Sequence, residues 1–205
     1  MAFVPLVSSS DAGRKSELDG PAGGTKNSSL MTIHPATLPQ QQLLDLCDVR
    51  RQRRSGPGGQ HRNKVETAVV MTHRTSGVQG AASERRSQEQ NRQVALFRLR
   101  INLAIEQRVI PAATAPSPLW LERLRGKQLS VSPEHDDFPS LLSEALDHLQ
   151  LLGGDVVTAA SQLQTTTSQL LKLLRHQPRA MKHLNELRLQ NDLKKMHYPF
   201  QKFHI

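Results

Sequence analysis

The chain has 205 residues, a net charge of +9 and a single cysteine. One cysteine excludes a disulfide framework and a cysteine-built zinc site, and no apolar run is long enough to span a membrane. The charge is uneven, since residues 48–108 hold 13 Lys/Arg against 5 Asp/Glu, which favours a polyanionic partner over a generally basic surface. We therefore expect a soluble, cytoplasmic protein that binds nucleic acid.

The N-terminal segment, residues 1–36, predicts disorder because it is rich in Ser, Gly and charge and has almost nothing to bury. Its apolar start is too short for a secretory signal, and Asp11, Glu17 and Asp19 do not fit a mitochondrial presequence. Met31 is a possible true start, because MTIHPATLP leads directly into structure. Mass spectrometry of the native protein tests this hypothesis.

A small β-sheet is predicted next, in a domain assigned to residues 37–110. Residues 39–47 predict a short helix or a lead-in turn, and residues 48–54 a strand with one face in solvent. Residues 65–73 are β-branched and partly alternating, which predicts a strand. Residues 78–82 return as its hairpin partner across a glycine-containing turn.

A long helix completes this domain. Ser87 and Gln90 fit a capping box, and the helix is predicted to run to about Arg108. Its apolar face consists of side chains at helical spacing, namely Val94, Phe97, Ile101, Ala104 and Ile105, widened by Leu96, Leu99 and Leu103. The predicted fold class is α+β, a small β-sheet packed on one long helix, followed by a helical C-terminal region.

The rest of the chain predicts a Pro-rich linker at 111–139, a helical module at 140–197 and a tail at 198–205. Within the linker, a short helix around Trp120 could dock on the α+β domain. Ser140 is the predicted cap of the first module helix.

Further helices follow in the module. Gly153 and Gly154 should end the first helix, and Asp155 should cap the next. The turn at 165–167 and the helix after it resemble a helix-turn-helix in spacing. A plain helical bundle is the favoured alternative, because the second helix has few side chains suited to reading bases. A basic helix then runs from Pro178 to about Met196.

The segment 50–64, RRQRRSGPGGQHRNK, has no hydrophobic residue and predicts a solvated finger. Its Gly-Gly-Gln suits a turn, a phosphate cradle, or a backbone presented to a reacting centre. The triphosphate motif GxxxxGK[ST] and the dinucleotide fingerprint are both absent. An exposed glycine loop between arginines therefore favours close approach to a phosphate-rich, sterically tight site.

Three motifs in order resemble the catalytic domain of class I peptide-chain release factors and their ribosome-rescue relatives. They are RSGPGGQHRNK at 54–64, HRTSGV at 73–78 and RSQEQNR at 86–92, and the resemblance spans roughly residues 46–108. It implies hydrolysis of the ester that joins a nascent peptide to P-site tRNA, which makes the chain a peptidyl-tRNA hydrolase. The implied partners are large-subunit rRNA and that tRNA, with no DNA, membrane or cofactor, and the chain is expected to be a monomer.

The resemblance also assigns roles to residues of the finger. It implies that Gln60 enters the peptidyl transferase centre, where its backbone N–H stabilises developing charge and its side chain restricts the nucleophile to water. Gly58 and Gly59 would let the main chain approach without Cβ clashes. His61 is interpreted as an RNA contact rather than a general base. The predicted RNA-binding residues are Arg50, Arg51, Arg53, Arg54, His61, Arg62, Asn63, Lys64, Arg86 and Arg92.

Fewer than fifty residues precede the finger in this sequence, so a codon-reading domain is not expected. The chain is similar to short, codon-independent rescue hydrolases. It departs from them after the domain, because residues 109–174 hold 4 Lys/Arg against 7 Asp/Glu and predict folded structure instead of a basic tail. Two alternatives remain open: a non-catalytic ribosome- or RNA-binding protein that docks through this domain, and an enzyme that acts on free RNA ends or on peptidyl-tRNA outside the ribosome.

Overall fold

The computed structural model describes residues 33–52, 67–111 and 114–196, which all belong to one compact unit, Met31–Ile205. The strands are β1 Cys47–Gln52, β2 Ala68–His73, β3 Gln79–Ala82, β4 Leu124–Arg125 and β5 Gln128–Leu129. A 3-10 helix covers Pro35–Thr37, and the α-helices are α1 Gln40–Asp45, α2 Gln88–Glu106, α3 Pro118–Arg123, α4 Phe138–Leu151, α5 Val156–Gln162, α6 Thr167–Arg175 and α7 Pro178–Gln190.

The first three strands form an antiparallel sheet in the order β1-β2-β3. The β1–β2 register runs from Cys47 opposite His73 to Gln52 opposite Ala68. Alternate residues of β2 are buried, as expected for a sheet with one covered face. The predicted strand and hairpin are confirmed, and so is the α+β fold class.

Helix α2 covers this sheet and is the centre of the fold. Ser87 is its N-cap, since its Oγ accepts the N–H of Gln90 at 3.4 Å. The helix ends at Glu106, two residues before the predicted end. Val94 and Phe97, predicted on its core face, are only half-buried, because α2 packs against the sheet on one side and against α4 on another. The deepest core positions of α2 are therefore Ala95, Leu99, Leu103 and Ala104.

The Pro-rich segment carries ordered elements, helix α3 and the short β4–β5 hairpin. The predicted helix around Trp120 is confirmed. The Trp120 side chain is 0% exposed and its Nε1–H donates to the carbonyl of Leu163 at 2.8 Å. The N–H and hydroxyl of Ser117 both donate to Glu144 of α4 at 2.6 Å. These bonds attach the segment to the helical module. The sequence predicted that this segment could dock on the α+β domain.

The first module helix, α4, begins at Phe138, so the prediction that Ser140 caps it is wrong. Pro139 lies in its first turn, where the missing N–H has no helical partner to lose, and this allows the earlier start. Ser140 is instead buried, with its Oγ accepting from Arg100 Nη2 at 3.2 Å. The helix ends before Gly153 and Gly154, as predicted, and both glycines have positive φ.

The later helices follow the prediction with shifted bounds. Asp155 caps α5, its side chain accepting from the N–H groups of Val157 and Thr158. Helix α6 begins at Thr167, because the Oγ of Thr166 accepts the N–H of Gln169 and caps the helix. The sequence had assigned Thr167 to the preceding turn. Helix α7 ends at Gln190, short of Met196.

The helical module is fixed to α2 by polar contacts as well as by apolar packing. Just beyond the end of α2, Arg108 forms an ion pair with Asp147 of α4, with 2.8 Å between Nη1 and Oδ1. The same Oδ1 accepts the N–H of Val109 at 3.2 Å. Arg179 of α7 donates to Asn102 Oδ1 at 2.8 Å. The β-sheet domain and the helical module therefore share the long helix.

A buried histidine joins the N-terminal 3-10 helix to the residue after α2. His34 is 6% exposed, its Nδ1 accepts the N–H of Ala36 at 3.1 Å, and its Nε2 lies 3.2 Å from the carbonyl of Gln107. Both contacts suit a neutral ring protonated at Nε2. Burial lowers the pKa of His34 to about 4; the Gln107 carbonyl opposes this change and the charge of Arg108 adds to it.

We expect acid to destabilise the fold through this histidine. The folded pKa is depressed below the ordinary value of 6.5, so the stabilisation is complete above pH 6.5 and is lost as the pH falls to about 4. The loss should reach about 3 kcal/mol of unfolding free energy. Urea unfolding at pH 7 and pH 4 should show a smaller difference for His34→Gln than for the wild type. An equal difference in the two proteins would contradict the assignment.

Candidate nucleic-acid interface

The residues predicted to carry catalysis lie outside the described part of the chain. They are Gly58, Gly59 and Gln60, together with the predicted RNA contacts Arg53, Arg54, His61, Arg62, Asn63 and Lys64. The described residues on either side are Gln52 and Thr67. Gln52 lies opposite Ala68 in the last pair of the β1–β2 ladder. Because residues 50–52 belong to β1, the name finger is kept from here for residues 53–66, which connect β1 to Thr67 and β2.

Two predicted RNA contacts lie on the strand that leads into the finger. Arg50 and Arg51 of β1 are both exposed and lie opposite Val70 and Val69 of β2. Successive strand residues point to opposite faces, so each face of β1 displays one guanidinium group. Helix α2 packs against β2 and β3, and Val49 of the edge strand β1, although it lies opposite the buried Met71, is 44% exposed. No ion pair links Arg50 or Arg51 to a carboxylate of the described residues. Both guanidinium groups are therefore available to bind phosphate.

The other two predicted contacts lie near the start of α2. Arg86 is exposed in the turn before the N-cap. Arg92 is half-buried and lies 3.7 Å from Glu89 in an i,i+3 ion pair, which partly neutralises its charge. Of the two, Arg86 presents the less compensated cation to a partner.

The HRTSG motif builds the turn between β2 and β3 and anchors it to the α1–β1 corner. Arg74 donates from its guanidinium group to the carbonyls of Cys47, at 3.1 Å, and of Asp45. Its backbone N–H donates to the carbonyl of Leu46 at 3.0 Å. Gly77 closes the turn with φ +71°, a conformation that glycine adopts without strain. Arg74 therefore has a structural role, consistent with its absence from the predicted RNA contacts.

His73 belongs to the same turn and is also structural. Its Nδ1 lies 2.7 Å from Ser76 Oγ, and that oxygen accepts the N–H of Val78 at 3.3 Å. The Ser76 hydroxyl is thus left to donate to the imidazole. Burial lowers the pKa of His73 and the charge of Arg74 adds to the effect. The ring is therefore neutral near pH 7.

Asn91 is a residue whose importance sequence reasoning missed. It lies in the RSQEQNR motif, is 0% exposed, and hydrogen-bonds to the backbone of Thr67 and of Arg85. Thr67 is the described residue that follows the finger. The available signal was the position of Asn91 four residues after Ser87 and four before Ala95, which places an amide on the buried face of α2. Nothing in the sequence named its partners, because they are backbone groups of distant residues.

The described ranges, 33–52, 67–111 and 114–196, hold neither a metal cluster nor a membrane-spanning helix. Within them, no group of three or more His, Cys, Asp or Glu side chains could hold a metal ion. No helix of these ranges is both long and apolar enough to cross a membrane. The cationic residues around β1 and the start of α2 thus form the candidate interface.

Comparison with protein families gives one match. The family described as RF-1 domain matches residues 44–117. This range begins in α1, includes the finger, the first sheet and α2, and ends just before α3. No solved structure matches the chain.

Similar curated proteins carry the name peptide chain release factor 1. The protein from Symbiobacterium thermophilum is 39% identical over 79 residues, which cover 36% of this chain and 22% of that protein. The protein from Acidiphilium cryptum is 41% identical over 88 residues, covering 40% and 25%. The protein from Chlorobaculum tepidum is 44% identical over 75 residues, covering 33% and 21%. The chain thus spans about a quarter of the length of the relatives it matches.

Proposed function

We propose that the chain hydrolyses peptidyl-tRNA on the ribosome, because residues 44–117 match the RF-1 domain family. The observation that carries the proposal is the position of Gly58-Gly59-Gln60 inside the matched range. The finger that bears this tripeptide joins two paired strands, and the strand before it displays Arg50 and Arg51. A cationic stem below a glycine-rich tip suits a site lined by RNA phosphates.

The proposed reaction is ester hydrolysis. A water molecule attacks the carbonyl carbon of the ester between peptide and tRNA, and the bond from that carbon to the ribose oxygen breaks. The ribose oxygen takes up a proton, so the products are the free peptide acid and deacylated tRNA. The backbone N–H of Gln60 donates to the oxygen on which negative charge develops, as in an oxyanion hole. The Gln60 side chain excludes nucleophiles larger than water, and the ribosome supplies the rest of the site.

RNA binding is assigned to the cations around the finger. Arg50, Arg51 and Arg86 present guanidinium groups that no carboxylate of the described residues neutralises, and guanidinium groups bind phosphate in a bidentate manner. The residues predicted on the finger itself would extend this surface to its tip. The expected partners are large-subunit rRNA and P-site tRNA in the cytoplasm, with the chain acting as a monomer.

We propose the codon-independent form of this activity, the rescue of stalled ribosomes. The range that matches the RF-1 domain family is 44–117, and residues 118–196 fold as a helical module packed on α2. These features support a proposal in which hydrolysis does not depend on a stop codon. The alternative is a non-catalytic protein that docks on the ribosome through the RF-1 domain.

The test is peptide release from ribosomes stalled on an mRNA without a stop codon. The wild type should release peptide there about as fast as on an mRNA with a stop codon in the A site. Gln60→Pro removes the backbone donor, so its rate constant should fall roughly a hundredfold. Gln60→Ala keeps the N–H and should lose less. Gln190→Ala, at an exposed position in the last turn of α7, is the matched control and should be unaffected.

Each outcome separates the proposals. Release only at a stop codon would contradict codon independence while retaining hydrolysis. Firm ribosome binding without release under either condition would favour the docking alternative. Equal rates for Gln60→Pro and the wild type would remove the backbone donor from the mechanism.

A further inference from the structure

The side chain of Asn91 joins three backbone groups from two segments of the chain. Its Oδ1 accepts the N–H of Arg85 at 2.9 Å. Its Nδ2 donates to the carbonyl of Arg85 at 2.9 Å and to the carbonyl of Thr67 at 2.7 Å. The amide thus pairs with the backbone N–H and carbonyl of Arg85 and with the carbonyl of Thr67, which belongs to another segment of the chain. All three bonds have good lengths for neutral hydrogen bonds.

An asparagine is well suited to this position. Its amide has two donor hydrogens, and both carbonyls need a donor, while the N–H of Arg85 needs an acceptor. Aspartate offers no donor when ionised, and alanine leaves three backbone groups without their partner. Asn91 is 0% exposed, so water cannot readily replace its amide, and each unpaired buried group is costly.

The two segments that Asn91 joins both belong to the candidate interface. Thr67 is bonded directly to the end of the finger, and its neighbour Ala68 forms the last pair with Gln52 of β1. Arg85 precedes Arg86, the exposed predicted RNA contact. The α2 position of Asn91 is itself fixed, because the next turn of the helix packs against the sheet through Ala95 and Leu99.

We propose that Asn91 is a positioning residue for peptide release: its amide holds the C-terminal root of the finger and the Arg85–Arg86 turn in one fixed arrangement. This inference rests on the proposed function. The β1–β2 ladder sets the spacing of the two finger ends, and Asn91 ties one of them to the long helix. Without it, Arg50 and Arg51 could still bind phosphate, but Thr67, to which the finger is bonded, would lose its attachment to α2. Misplacement of a reacting group by about 1 Å can reduce a rate roughly a hundredfold.

The experiment compares Asn91→Ala with a matched variant in the helical module. Asn185 of α7 makes a similar contact, since its Oδ1 accepts the N–H of Met196 at 2.8 Å and its Nδ2 lies 3.4 Å from the Met196 carbonyl. Both variants remove a side-chain amide that binds backbone groups. Only Asn91→Ala removes a hydrogen bond to Thr67, the residue that follows the finger. Circular dichroism at the assay temperature first establishes that both full-length proteins are folded.

Release is then measured against ribosome concentration. For Asn91→Ala we expect the maximal release rate to fall roughly tenfold to a hundredfold, with the half-saturating ribosome concentration changed less than about threefold, because the arginines that bind phosphate are intact. Asn185→Ala should leave both values near those of the wild type. A loss of stability in Asn91→Ala would instead lower its folded fraction, which the circular dichroism measurement reports.

A second variant tests the donor atoms of the amide. Asn91→Asp keeps an acceptor for the N–H of Arg85 but places a carboxylate oxygen against the carbonyls of Thr67 and Arg85. Burial should raise the pKa of the new carboxyl group, and its protonated form can again donate one hydrogen bond. The rate of Asn91→Asp relative to the wild type should therefore rise as the pH is lowered from 8 to 6, whereas the relative rate of Asn91→Ala should not.

The outcomes are distinct. If Asn91→Ala releases peptide as fast as Asn185→Ala, or if only its half-saturating concentration changes, the positioning role is wrong and the release function stands. If Asn91→Asp and Asn91→Ala show the same pH dependence, the donor to Thr67 is not what matters and the proposal is overturned. A wild-type protein that binds ribosomes without releasing peptide would contradict the release function, and the positioning role with it.

Discussion

Replacing Gly80 with alanine should lower the free energy of unfolding by more than about 3 kcal/mol. A Cβ atom at this position would stand 2.2 Å from the carbonyl oxygen of Ala95 and 2.4 Å from the nitrogen of Leu99. Both atoms belong to the backbone of α2 and cannot rotate away. The strand β3 and the helix would have to separate, and overpacking of this kind already costs about 1–3 kcal/mol when the neighbours are flexible side chains.

Gly77→Ala is the matched control for Gly80→Ala. Gly77 lies in the turn between β2 and β3 with φ +71°, and a Cβ there would meet nothing within 4 Å. Its substitution should cost only about 1 kcal/mol, the strain of a left-handed backbone conformation at a residue with a side chain. Urea unfolding followed by circular dichroism compares the two variants directly. Similar losses would show that α2 can move away from β3 at little cost.

The close approach at Gly80 also bears on the candidate interface. It allows β3 to lie directly on α2, and two side chains of α2 then bind the outer edge of that strand. Arg98 donates to the carbonyl of Ala81 at 2.8 Å, and Asn102 donates to the carbonyl of Gln79 at 2.6 Å. These bonds occupy carbonyls that an edge strand would otherwise offer to another chain. The sheet that supports the finger is thereby fixed to the helix that carries Asn91.

Local signals were sufficient to predict most of the elements. The β-branched run of β2 and the Ser87 cap are decided by neighbours within a few residues, and both are confirmed. Ser140 shows where local signals fail, since a good capping residue is instead used to bind Arg100 from another helix. Trp120 indicated a helix that the structure confirms, but its hydrogen-bond partner, the carbonyl of Leu163, lies 43 residues away and could not be predicted from local signals.

The candidate site also contains residues that the sequence predicted and one residue, Asn91, that it did not. The motifs predicted Gly58, Gly59 and Gln60 as its centre, and these residues stay a prediction because they lie outside the described ranges. Arg50 and Arg51 were predicted as RNA contacts, and their exposure on β1 is compatible with that assignment. Asn91 could not be predicted, since its role depends on the carbonyl of Thr67, which the fold brings to it across 24 residues of chain. The helical periodicity of α2 places the Asn91 amide on the buried face, but it does not identify the backbone groups that the amide binds.

The ion pair between Arg108 and Asp147 joins the residues just after α2 to helix α4 of the helical module. Their side chains are 18% and 7% exposed. Burial raises the pKa of Asp147 to about 6, and the charge of Arg108 and the bonds from Val109 and Arg108 only partly oppose this effect. The folded pKa lies above the ordinary 3.8, so the contribution of this carboxyl group to stability is present at low pH and lost as the pH rises through 6. Desolvation thus outweighs attraction, and the ionised pair is not a source of stability.

Removing one partner of this pair should nevertheless be costly. Asp147→Leu leaves the Arg108 guanidinium group buried without its carboxylate, and its Nε already lacks a hydrogen-bond partner. We expect a loss of about 3–5 kcal/mol at pH 7.5. The double variant Arg108→Met/Asp147→Leu replaces the pair with apolar side chains and should be close to the wild type in stability. Lys182→Ala, which breaks an exposed pair with Glu186, is the control and should change stability by less than about 1 kcal/mol.

Urea unfolding of these proteins, together with the single variant Arg108→Met, gives the coupling energy of the pair and tests whether the helical module and the β-sheet domain unfold together. Because Arg108 lies just after α2 and Asp147 lies within α4, a single transition in the wild type that separates into two in Asp147→Leu would show that the pair couples the two parts. If the double variant loses as much stability as Asp147→Leu alone, the uncompensated charge is not the cause, and the hydrogen bond from Val109 to Asp147 becomes the better explanation.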